Sequence, residues 1–213
     1  MLITVNVLFF LYMLLYFPDI TVFYKQYGLN PVQITSAFQN TTTFQPVYWT
    51  FLFSMFSHGG WWHLISNMLF LWIFGDNVED RMGKFFFLIF YLLAGTGAAI
   101  VQILLQPSSN VVMVGASGAI SGVMGAYLVL YPKASVTTLV PILLFPVILK
   151  IPAVVFMVIW FLSQIINMAM GTTGVGWGAH LGGFIIGLLM GWIFIPIHKA
   201  TSARVIGKDH YFR

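Results

Sequence analysis

Four residues of this chain carry the groups that acyl transfer requires: a hydroxyl on Ser117, an imidazole on His180, and hydrogen-bond donors on His63 and Asn67. Serine is a weak nucleophile until an adjacent base takes its proton, and imidazole commonly serves as that base. The negative oxygen formed when a carbonyl is attacked needs donors already in place, which a second imidazole and an amide can supply. The surroundings single these four out, because the segments holding them are otherwise almost purely hydrocarbon. Strongly polar groups in such segments are costly in a bilayer and point to function by default.

The neighbours of each residue sharpen the argument. Ser117 stands in Gly115-Ala116-Ser117-Gly118, followed by Gly122 and Gly125. A lone serine in a membrane helix usually bonds back to its own helix, so this tetrad is weak evidence alone. It is also not the Gly-x-Ser-x-Gly elbow of soluble hydrolases, which follows a strand. His180 stands in Gly178-Ala179-His180-Leu181-Gly182-Gly183, and positions 180, 183, 187 and 191 share one helical face. Apart from His180 that face is glycine, the composition that lets two helices approach closely. Gly115, Gly118 and Gly122 offer Gly183 and Gly187 a matching surface, so the two segments together say more than either alone. His63 and Asn67 lie four apart on one face, behind the exposed-type pair Trp61-Trp62. Asn67 is a full turn deeper, where an unpaired amide would cost several kcal/mol. His58, in the loop before the span, is assigned an interfacial or supporting place.

These residues need elements to position them, and composition says which kind. Hydrophobic residues make up 60% of the 213, charged residues 7% and aromatic residues 17%, against about 25% charged in soluble proteins. Lys84 and Lys133 enclose 48 residues without an ionised side chain, and so do Lys150 and Lys199. A membrane helix needs about 20 apolar residues, so each run holds two spans and a turn. The expected architecture is all-α and polytopic, a single domain over 1–213 with six transmembrane helices. Span one covers about 2–17, without the basic start and small-residue site of a cleaved leader. A long outer loop follows at about 18–58. Span two covers about 61–74, closing with Gly75, and span three about 85–105. Span four runs from Ser117 to Tyr131-Pro132. Residues 136–150, with Pro141 and Pro146, read as a hairpin or half-embedded loop. Span five runs from Pro152 to about Met170, span six from about Gly178 to Ile195, and 197–213 is a short tail.

Charge gives the orientation. With the N-terminus inside, Arg81, Lys84, Lys133, Lys150, Lys199, Arg204, Lys208 and Arg213 lie on the cytoplasmic side and only Lys25 lies outside. That bias puts the starts of spans two, four and six at the outer face, together with His63, Ser117 and His180. The net charge of +4 is no nucleic-acid signal, because the basic residues are scattered singly. With no cysteine there is no thiolate or disulfide chemistry, and nothing calls for a metal or cofactor.

The chain resembles the rhomboid family of intramembrane serine proteases over about residues 45–195. The resemblance lies in His58-Gly-Gly-Trp-Trp-His63 with Asn67, Glu79-Asp80-Arg81-Met82-Gly83, Gly115-Ala-Ser117-Gly118 and Ala179-His180-Leu-Gly-Gly183. It implies that Ser117 is the nucleophile and His180 the base, with His63, Asn67 and the Ser117 N–H holding the oxyanion. It also implies cleavage of other proteins' transmembrane segments near the outer face, in a bacterial inner membrane. Two positions depart from the family pattern: Trp49-Thr50 where many members have Trp-Arg, and Ser121 where many have an aromatic ring packing on the histidine. The carboxylates Asp76, Glu79, Asp80 and Asp209 fall on the inner side, and Asp19 ends span one, so a dyad is expected and not a triad. Spans two and five, with Trp160 and Phe161, are the expected gate walls. Water is expected to enter by the Gly171–Gly178 loop with Thr172 and Thr173. The alternative from another class is a relative that binds client helices without cutting them. A small transporter would show broken helices and an internal repeat, and neither is visible.

Overall fold

The computed structural model describes residues 1–39, 47–142, 145–172 and 174–195. Outside them lie Phe44 and Pro46 of the first loop, Thr173, Pro196, and the expected tail at 197–213 with Lys199, Arg204, Lys208, Asp209 and Arg213.

Among the described residues the chain is helical apart from one hairpin. Helix α1 covers Leu2–Tyr16, α2 Ile20–Tyr27, α3 Pro31–Gln39, α4 Tyr48–Phe56 and α5 Trp61–Phe70. A wider π turn, Leu71–Gly75, leads directly into α6, Asp76–Met82. Then come α7 (Lys84–Leu105), α8 (Ser117–Leu130), strands β1 (Ser135–Ile142) and β2 (Phe145–Pro152), α9 (Ala153–Ala169) and α10 (Trp177–Ile193).

Only α7 among the described helices is long and apolar enough to cross a membrane by itself, at 22 residues. At 1.5 Å per residue it measures about 33 Å, close to the hydrocarbon thickness. The apolar helices α1, α8, α9 and α10 have 15, 14, 17 and 17 residues. The structure thus supports a mostly helical membrane fold, while the count of six spans is not established by helix length. Large apolar side chains are exposed along the outer helices, among them Leu15, Ile159, Ile166 and Leu189. So many exposed large apolar side chains suit lipid rather than water.

Two sequence expectations need correction. The segment 18–58 is not simply a loop, because it builds α2, α3 and α4. Asp19 starts α2 by accepting from the Thr21 N–H at 2.9 Å, and Asn30 starts α3 by accepting from the Val32 N–H at 3.1 Å ahead of Pro31. These are ordinary helix starts, and they also explain where the Asp19 carboxylate is used. Gly75 does not close the second span either. Its backbone is helical (φ −70°, ψ −39°), and the space of its missing side chain is taken by Leu71 and Phe87. The 136–150 segment takes the hairpin form that the sequence reading offered, antiparallel with Pro141 opposite Pro146, within an otherwise helical fold. A two-stranded ribbon has only edge strands, which is where proline is tolerated.

At the centre stands α8, buried at every residue from Ala119 to Tyr127. A helix that is apolar all round belongs inside, and α7, α10 and the π turn pack around it. Among the described helices α8 and α10 make the most extensive contact, and along it glycine meets backbone. A Cβ on Gly183 would fall on the Gly118 carbonyl oxygen, one on Gly187 on that of Gly122, and Gly191 sits against Ala126. These pairs step by four residues along both helices, so α8 and α10 run parallel in fixed register. That register lies one residue beyond Ser117 and three beyond His180. The two therefore arrive together at the same end.

Candidate active site

Ser117 is the first residue of α8, half-buried at the floor of a cavity of about 480 Å³ whose walls include His63, Asn67, Gly118, Trp160 and His180. The first backbone N–H groups of a helix have no partner within it, so the Ser117 and Gly118 amides are free donors at this spot. Before the helix, Gly115 holds φ +128°, a conformation that side-chain-bearing residues rarely adopt, and its N–H donates to the Ser54 carbonyl at 2.8 Å. A Cβ there would lie 2.7 Å from both Cε1 and Nε2 of His63. The glycine is what lets this imidazole reach the chain beside the serine.

The expected nucleophile and base meet. Ser117 Oγ lies 2.8 Å from His180 Nε2, across 63 residues of sequence. The bland fate of a membrane serine falls to its neighbour instead: Ser121 Oγ donates to the Ser117 carbonyl one turn back, at 2.6 Å. The other ring nitrogen of His180, Nδ1, lies 2.8 Å from Gln164 Oε1. An amide oxygen can only accept, so Nδ1 carries the proton and Nε2 presents its lone pair to the serine hydroxyl. Sequence reasoning missed Gln164. Its signal was an amide inside an apolar helix, three residues before a second at Asn167, with nothing to say which neighbour it met.

His180 also has aromatic support, although Ser121 removes the ring expected from α8. The Trp160 ring stacks on the imidazole, with centroids 6.0 Å apart and planes at 30°. Trp177 meets it edge-on at 5.9 Å. Its helix is anchored at its start by Gln102 on α7, whose Oε1 accepts the Ala179 N–H at 3.0 Å. Phe161, the other expected gate residue, packs on Phe184, with centroids 5.1 Å apart.

His63 is also held in one tautomer. The Gly59 N–H donates to His63 Nδ1 at 3.2 Å, which puts the ring proton of the neutral imidazole on Nε2, the edge facing Gly115. Asn67 is buried in the wall of the same cavity, and one of its amide hydrogens goes to the His63 carbonyl at 2.7 Å. This is a local partner, and it leaves the second amide hydrogen for another acceptor. His58 is fully buried, not interfacial, with its ring 5.3 Å from that of His63. Burial pushes its pKa down to about 4, so it is neutral, and its Nδ1 faces the Phe56 carbonyl at 3.3 Å.

Comparison with known proteins follows the same residues. A family model described as "Rhomboid domain" matches residues 45–197. "Rhomboid-like protein 11, chloroplastic" of Arabidopsis thaliana is 30% identical over 77% of this chain and 59% of its own length. "Rhomboid protein 1, mitochondrial" of Saccharomyces cerevisiae is 33% identical over 75% of this chain and 46% of its own. "Rhomboid protease AarA" of Providencia stuartii is 31% identical over 74% of this chain and 60% of its own. The chain thus spans roughly half the length of the curated relatives it matches. With a matched domain covering most of its length and an apolar exterior to suit, the chain is a membrane-embedded member of the rhomboid family.

Proposed function

We propose that this protein is an intramembrane serine endopeptidase that hydrolyses peptide bonds in or near transmembrane segments of other membrane proteins. The observation that carries this reading is the 2.8 Å contact between Ser117 Oγ and His180 Nε2. Ser117 Oγ attacks the substrate carbonyl while its proton passes to His180 Nε2, and the developing oxyanion is held by the Ser117 N–H, His63 and Asn67. The imidazolium then protonates the leaving amine, and water hydrolyses the acyl-enzyme by the reverse proton path. The substrate enters sideways between helices and unwinds locally, because carbonyls within a helix are already hydrogen-bonded. A serine-directed phosphonate tests this: stoichiometric labelling of the protein in detergent, together with cleavage of a reconstituted single-span substrate, is expected. A protein that retains client helices without labelling or cutting would be the binding-only relative. The hydrogen-bonded serine and histidine favour the enzyme.

The oxyanion donors can be separated from the dyad. Removing one preorganised donor typically costs about 10²–10³ in rate. With two donors remaining, Asn67→Ala is expected at or below the lower end, mainly in kcat, with phosphonate labelling retained. Normal cleavage combined with a lowered unfolding temperature would leave Asn67 a packing residue only.

Orientation rests on the eight-to-one basic bias, which puts the α7–α8 turn outside and the β hairpin inside. Ser108 and Ser135 are both exposed, and this orientation would put them on opposite sides. In intact cells a membrane-impermeant thiol reagent is expected to label Ser108→Cys and spare Ser135→Cys, against a background with no native cysteine. The opposite pattern would turn the site to the cytosol.

A further inference from the structure

The mechanism above pairs Ser117 with His180 and gives the oxyanion to His63 and Asn67, but one more side chain touches the base, from a helix that carries no ionisable group. Gln164 lies in α9, a mostly apolar helix rich in Val and Ile, and it is 5% exposed. An amide so deeply buried needs partners for both its N–H group and its oxygen. Its Nε2 donates to the Trp160 carbonyl at 3.1 Å and to Ser163 Oγ at 2.9 Å. The Ser163 hydroxyl itself donates to that same carbonyl at 2.6 Å, so its oxygen is free to accept. A carbonyl can never donate, so these contacts fix which end of the amide is nitrogen. The oxygen must point the other way, and there it meets His180 Nδ1 at 2.8 Å.

We infer that Gln164 is a positioning residue for the hydrolytic reaction, an uncharged third member that fixes the tautomer and ring orientation of His180; the role rests on the dyad reading. Imidazole has two neutral forms, and only the one protonated at Nδ1 leaves Nε2 able to receive the serine proton. In the other form Nε2–H would face the hydroxyl and no proton transfer could begin. A buried aspartate does this work in serine hydrolases of the triad type. Here no carboxylate is in contact with His180 among the described residues, and the Gln164 oxygen takes that place. As the Ser117 Oγ–carbonyl bond forms, the hydroxyl proton moves to Nε2, Nδ1 keeps its own proton, and Gln164 Oε1 accepts from it throughout. The amide gives no ion pair to the imidazolium, only the negative end of a dipole. The same α9 turn supplies the Trp160 ring that stacks on His180. One turn of one helix therefore sets both the plane and the protonation of the base.

The test combines a spectrum with kinetics. In the full protein, ¹⁵N-histidine labelling in detergent reports the tautomer of His180, its signals assigned by their loss in His180→Ala. The wild type is expected to show the Nδ1–H form. Gln164→Met, similar in length but without the acceptor oxygen, is expected to show a mixture of tautomers. Its kcat should fall about tenfold, the scale of one neutral hydrogen bond, with KM nearly unchanged. Gln164→Glu keeps an oxygen toward Nδ1 and is expected to retain that tautomer and most of the rate. An Nε2–H tautomer in the wild type would overturn the role, and that measurement does not need a foldable variant. So would a folded Gln164→Met with wild-type kcat and an unchanged spectrum. The tautomer is read without any substrate, so failure of the dyad reading would appear separately, as cleavage that survives Ser117→Ala.

Discussion

Ser117→Ala abolishes phosphonate labelling and substrate cleavage while leaving the folded protein nearly as stable as before. Both halves of this expected result follow from the geometry. Ser121, one turn along α8, is the nearest other hydroxyl, but it is buried and already donates to the Ser117 carbonyl. Ser66, near His63, donates to the His63 carbonyl on its own helix, so neither stands ready to attack beside a free imidazole nitrogen. Losing one member of a nucleophile–base unit costs on the order of 10⁶ in kcat in serine hydrolases. His180→Ala should fall as far, and the double variant no further, because the two act together. Stability should change little, since the hydroxyl of the half-buried Ser117 makes its one contact at the wall of an open cavity. A neutral hydrogen bond there is worth about 1 kcal/mol. Rates in reconstituted vesicles and thermal unfolding in detergent decide it, and cleavage by the serine variant would end the proposed mechanism.

Gly187→Ala has the opposite signature, with stability lost before chemistry is touched. Its new methyl would collide with the Gly122 carbonyl oxygen, a backbone atom of the central helix. A carbonyl locked into a helix cannot rotate away, so the two helices must separate along the whole glycine contact. Overpacking usually costs about 1–3 kcal/mol, and a backbone clash at the tightest contact belongs at or above the top of that range. Gly97→Ala is the control. There the methyl meets the far end of the Ile186 side chain, 2.5 Å away, which another rotamer can relieve. The expectation is a large drop in unfolding temperature for Gly187→Ala and a small one for Gly97→Ala. If the two variants unfold alike, the parallel α8–α10 register is wrong.

That register was the most legible part of the molecule. Glycines at 183, 187 and 191 and at 118 and 122 announce a close helix pair, and the pairing carries Ser117 to His180. Residues whose role depends on a single long-range contact were not legible. Gln164 meets His180 only because the chain turns back after α9 at Gly171 and Gly174, both at positive φ, and the spacing of Gln164 and Asn167 does not name that partner. Short helices were hidden differently. Asn30-Pro31 is a recognisable helix start, but the mixed polar and aromatic composition of 18–58 masked it. The π turn at Leu71–Gly75 left no mark, since Gly75 reads equally as a stop or as room for Phe87. Trp160, expected as a gate wall, also meets both the imidazole and Phe184, contacts that no spacing in the chain announced.

The order of helices along the chain has a consequence in time. Ser117 opens α8, but its base arrives 63 residues later, on the last of the described helices. At about 5–20 residues per second, a ribosome needs roughly 3–13 s to cover that interval. Throughout it, α8 sits in the membrane with a serine no more reactive than any other alcohol. Only when α10 has slid its glycines against the backbone of α8 does the hydroxyl acquire a proton acceptor. On the proposed mechanism, a nascent copy would have no means of cutting its neighbours until α10 has been made and has packed against α8.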